Sequence, residues 1–179
     1  VRAISATDES LVRTKSLTIV RNLAEIMRAY PDAYVTGSGT SFTTELSTKT
    51  GAVPIIQAIV SSSATDSITV DNAVITRSGC LSDGVTTVDS KQVPNNSCNS
   101  NQLATRDALI VKAQASAEDI KLAVATCPGT TTRAVHSQMC IITAWNDTKA
   151  MLDATDVAAC ADANGVYKEG SQCLISEAY

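Results

Sequence analysis

The chain has 179 residues, a formal charge of −4 and only 3% aromatic residues. That length fits a single domain over 1–179. Its dispersed basic residues leave no footprint for nucleic acid or an anionic membrane surface, and no apolar run approaches the roughly 20 residues of a membrane helix.

From Thr7 to Tyr30 the periodicity predicts a long amphipathic helix. Val12, Ile19, Leu23, Ile26, Met27 and Tyr30 form its core face, while Arg21, Glu25 and Arg28 fall on the other side. Thr7 suits an N-cap, Asp8 and Glu9 suit the first turn, and Pro31 ends the ladder. At 1.5 Å per residue such a helix runs about 36 Å, the span of a small domain.

Gly37 and Gly39 mark a loop from Val35 to Phe42, a short helix is expected from Thr43 to Thr48, and Gly51 and Pro54 close it. Ile55 to Ile75, with IIQAIV and the alternating SITVDNAVIT, predicts strands. Arg77 to Asn101 reads as a polar surface excursion pinned at its base by Cys80 and Cys98. Ala108–Gln114 predicts a strand, and Ser116 opens a predicted helix that Cys127-Pro128-Gly129 stops. Met139–Trp145 predicts a strand, Thr148–Ala161 a helix ending near Asn164-Gly165, and Gln172–Ile175 a last strand. The expected fold is α+β, with the long N-terminal helix packed on an antiparallel sheet and stapled by disulfides.

Six cysteines without a C-x-x-C pair fit disulfides better than metal ligands, and disulfides belong to exported proteins. Many pairings are open; the sequential one, Cys80 with Cys98, Cys127 with Cys140 and Cys160 with Cys173, has the shortest loops. Every Ser-His-Asp triad would have to use His136, the one histidine, and nothing in the sequence supplies an orienting partner. Gly37-Ser38-Gly39 lacks the G-K-[ST] of a phosphate loop. Asp162-Ala163-Asn164-Gly165 resembles part of a calcium loop, but its glycine comes too early, and a helix C-cap is the better reading. Asn95-Asn96-Ser97 and Asn146-Asp147-Thr148 fit the N-glycosylation acceptor, a short pattern that arises by chance. No catalytic residue, cofactor or metal is expected.

The order VRNLAEIMRAY, DAYVTGSGTSF, TELSTKT and GAVP resembles the globular part of type IVb pilins over Thr7 to Pro54. ALIVKAQ followed by SAEDIKLAVATC is similar to them more loosely, over Ala108 to Cys127. The resemblance implies an exported structural subunit of a pilus-like filament, partnered by its own copies or other pilus subunits, with Arg21, Glu25 and Arg28 as candidate assembly face. It also implies a hydrophobic helix half ahead of Val1, through which alone the subunit meets the membrane. The alternative is a secreted module whose loops around Asp83 to Asn101 bind a surface receptor or glycan. Either reading places the protein outside the cell or on its surface, and neither makes it an enzyme.

Overall fold

A computed structural model of the chain describes residues 2–29, 60, 66–70, 73–80, 84–95, 98–128 and 139–178. The predicted loop at Gly37 and Gly39, the short helix at Thr43–Thr48, Tyr30, Pro54 and His136 lie outside the described residues.

The fold is α+β. Helix α1 spans Arg2–Ala29. It begins at Arg2 rather than near Thr7, because Ala3, Ile4 and Ala6 continue the helix and Thr7 sits in its interior, where it cannot cap. A hairpin of β1 (Ser67–Val70) and β2 (Ala73–Thr76) follows, and a second of β3 (Val85–Val88) and β4 (Lys91–Pro94), both antiparallel. Val60, the described member of IIQAIV, is helical rather than extended. The polar excursion between Cys80 and Cys98 thus has regular structure, the β3–β4 ribbon.

Helix α2 spans Ser100–Ala117 and overturns the expected strand at Ala108–Gln114. A short run of contiguous apolar residues cannot by itself separate strand from buried helix. Here the deciding signal lies upstream. Asn99 accepts from the Gln102 amide at 2.9 Å while the Gln102 side chain accepts from the Asn99 amide at 3.0 Å, a capping box that starts the helix well before Ala108. Buried Ala104, Ala108, Leu109, Val111 and Ala115 then share one helical face.

The helix expected from Ser116 to Cys127 is also corrected. Those residues end α2 instead: Glu118 and Ile120 both donate to the Ala115 carbonyl, and Asp119 takes a left-handed φ of 53°. The chain reverses there into β5 (Lys121–Thr126). The order strand-then-helix that resembled pilins in this stretch is therefore reversed.

Three strands form the main sheet in the order β5-β6-β9, all antiparallel, with β6 (Met139–Ala144) central and β9 (Cys173–Glu177) at one side. Every residue of β6 is buried, so the sheet is covered on both faces. Met139 and Ile141 join Ile19, Leu23, Met27, Leu109 and Val111 in the larger core between sheet and helices. Ile142 and Ala144 point the other way, to Cys160 and Cys173.

Beyond β6 the expected helix at Thr148–Ala161 is replaced by β7 (Lys149–Leu152) and β8 (Ala159–Ala161), paired in parallel. Asp153 accepts from the amides of Thr155 and Asp156 at 2.6 and 3.0 Å, and Asp156 accepts from the Ala158 amide at 2.8 Å. Short Asp side chains that bond nearby amides favour turns over helix interior. With no helix to end, Asp162-Ala163-Asn164-Gly165 is not a C-cap: Asp162 accepts from the amides of Asn164 and Val166, with Gly165 at φ +84°.

Candidate assembly interface

Helix α1 has two chemically distinct sides. Ser16, Ile19, Val20, Leu23, Ala24 and Met27 are buried, and Ile26 is half-buried against the same core. Their spacing places them on one stripe, which packs on α2, β6 and β9. Arg21, Glu25 and Arg28 are exposed.

Two apolar residues that belong to neither the expected core face nor the expected assembly face join that outer side. Leu11 and Leu17 keep 54% and 44% of their surface exposed. On a 3.6-residue period Leu11, Leu17, Arg21, Glu25 and Arg28 form a band opposite the buried stripe. The signal was available in the sequence, since both leucines fall outside the i, i+3, i+4 apolar series that defines the core face.

The inner side is not wholly apolar. Ser16 Oγ, Thr143 Oγ1 and Trp145 Nε1 are buried with no hydrogen-bond partner among the described residues. The Arg13 guanidinium lies over the Trp145 ring, 5.7 Å from its centroid, and is held by Glu9 one turn earlier at 2.9 Å. Lys15 pairs with Glu118 just beyond α2, tying the two helices together at the surface. Near the C-terminal end of α1 a groove of about 380 Å³ lies between it and α2, lined by Glu25, Ile26, Asp107 and Ile110 among others.

The disulfides join Cys80 to Cys98, Cys127 to Cys140 and Cys160 to Cys173. The first closes the base of the β3–β4 excursion. The second ties the end of β5 to β6, and the third ties β8 to β9. Lys112, half-buried on α2, has its pKa lowered by desolvation. Asp153 is held below the ordinary carboxylate range chiefly by the Thr155 hydroxyl, and Asp156 chiefly by the Lys149 ammonium at 2.6 Å. Among the described residues no three His, Cys, Asp or Glu side chains converge as a metal site, and no helix is long and apolar enough to cross a membrane.

No curated protein and no solved structure matches the chain. Residues 1–55, the stretch that opens with α1, match the Tt1218-like family model, described as type IV pilin Tt1218, so over its N-terminal part the chain is type IV pilin-like.

Proposed function

We propose that this chain is the globular part of an exported structural subunit of a type IV pilus-like filament, a single domain whose partners are its own copies or other pilus subunits. The observation that carries the reading is the pilin match over residues 1–55, which contains the whole of α1. The two-sided character of that helix supports it. The inner stripe is used up by the sheet and α2, whereas Leu11, Leu17, Arg21, Glu25 and Arg28 remain outward. A mixed apolar and charged band of this kind is suited to a neighbouring subunit, with the leucines burying area and the charges setting register.

The test is made on the full-length protein in the cells that produce it. Antibody to the chain should detect it in filaments sheared from the cell surface. Arg21→Glu combined with Arg28→Glu should reduce the sheared fraction several-fold while the purified domain melts as the parent does. Detection only as a free secreted monomer, or filaments indifferent to the double substitution, would count against the reading.

A further inference from the structure

The β3–β4 ribbon has one guarded edge and one open edge. Its register pairs Val85 with Pro94, Thr86 with Val93, Thr87 with Gln92 and Val88 with Lys91, and no third described strand joins it. The Asn95 amide donates to the Gly84 carbonyl at 2.8 Å, which sets the phase of the ladder. Opposed residues in an antiparallel pair alternate between bonded and non-bonded positions. Thr86/Val93 and Val88/Lys91 are therefore bonded pairs, while Val85, Thr87, Gln92 and Pro94 turn their backbone groups away from the partner strand.

On β4 that outward edge carries Pro94, which has no N–H to offer, and the strand begins with Lys91. Proline and lysine are the usual guards of a free edge. On β3 the outward positions are Val85 and Thr87, each with both N–H and C=O, and Val85–Val88 contains neither proline nor charge. All four residues are exposed, Val85 by 58% and Val88 by 53%.

We infer that the open edge of β3 is a self-pairing surface, to which β3 of a second copy of this chain adds antiparallel across a two-fold axis. The occupant follows from the chemistry of the edge. An uncharged, β-branched strand with full backbone hydrogen-bonding capacity is the complement it needs, and among the described strands β3 itself joins that composition to exposure of every residue, whereas the similar β1 and β2 are each partly buried. Bonded pairs must join outward residues to outward residues, which sets Val85 against Thr87 of the second copy, Thr87 against Val85, and Thr86 against its own mate. The neighbouring register would set Thr87 against itself and would require Asp89 as a ladder residue, but Asp89 sits in the turn at φ 50°. The Cys80–Cys98 disulfide holds the base of the ribbon, so less ordering remains to oppose association. Four strand residues per copy make a contact well below the roughly 1,600 Å² of a standard interface. The pairing is accordingly weak in dilute solution and strengthens where copies are held close together. It is independent of the filament reading, since two soluble chains suffice to form it.

The experiment uses the oxidised 179-residue chain carrying Thr86→Cys, with Gln92→Cys on β4 as the control, in mild oxidant at graded concentrations. Opposed non-bonded positions lie about 4.5 Å apart, within disulfide reach. The Thr86→Cys chain should form a dimer linked through the introduced thiols about tenfold faster than the control. Adding Thr87→Pro should cut that rate about tenfold, because it removes an outward N–H while sparing the bonds inside the ribbon. Thermal melts check that each variant folds. In the unaltered chain, the amide resonances of Val85 and Thr87 should shift with concentration. Equal rates for the two cysteine variants, indifference to Thr87→Pro, or resonances that stay constant up to millimolar chain would overturn the inference.

Discussion

The Arg13 guanidinium stands 5.7 Å from the centroid of the Trp145 ring, joining the N-terminal half of α1 to the residue that follows the central strand β6. Trp145 is the one tryptophan of the chain and is almost fully buried, so its fluorescence reports on this junction alone. Arg13 is half exposed, which puts the cation–π contact near the lower end of its range, about 0.5–1 kcal/mol. Arg13→Ala should lower stability by that amount and alter the emission of Trp145. A variant with unchanged emission and melting would show that the contact carries no weight.

Leu23 is completely buried between α1, α2 and the sheet, whereas Arg21 and Arg28 are exposed two and five positions away on the opposite side. Leu23→Ala should cost about 2–5 kcal/mol, the transfer term plus the cavity left in a close-packed core. Arg21→Ala and Arg28→Ala should each stay within about 0.5 kcal/mol of the parent. Urea unfolding of the three variants under oxidising conditions separates the two sides of the helix.

The Cys160–Cys173 disulfide closes a loop with a sequence separation of 13 and lies in the smaller core with Ile142 and Ala144. Replacing both cysteines by alanine should cost about 3 kcal/mol on the chain-entropy model for a loop of this size. Hydrogen exchange should locate the loss in β7, β8 and β9 before α1. Uniform loss of protection would mean that the C-terminal strands and the helices unfold as one unit.

Asp153 and Asp156 are each held below the ordinary carboxylate range by hydrogen bonds that the ionised form receives. A carboxylate whose folded pKa is depressed adds stability above its unfolded value, near pH 4. That contribution is lost as pH falls from about 4 through the folded values. The melting temperature should therefore decline below about pH 4, and less steeply in Asp153→Asn. An acid limb of identical slope in that variant would assign the acid sensitivity to other groups.

The long helix was legible in the sequence because its pattern is strong and local: apolar residues at helical spacing over many turns, with charges opposite. So were β6 and β9, short β-rich segments, and the β1–β2 hairpin within SITVDNAVIT. The outer leucines Leu11 and Leu17 were written there too, as residues off the core series. What they would face in the proposed filament is a property of neighbouring subunits, which the periodicity of one helix does not encode.

Local pattern misassigned the middle and end of the chain for one physical reason. ALIVKAQ, SAEDIKLAVAT and TKAMLDATDVAACA each hold residues compatible with both helix and strand, so propensity differs little between the two. Local caps and turns together with tertiary packing then decided. The Asn99–Gln102 capping box and the packing of Ala104, Ala108 and Leu109 against α1 made ALIVKAQ helical. The need for a partner beside β6 made KLAVAT a strand, and the Asp153 and Asp156 turns together with the Cys160–Cys173 link drew the last candidate helix into β7 and β8. Composition and cysteine spacing alone determined that the chain is a disulfide-stapled protein with an aliphatic core. Which ambiguous segments became strands was decided chiefly by pairing with residues far apart in sequence, whose energies exceed the small local preferences they override.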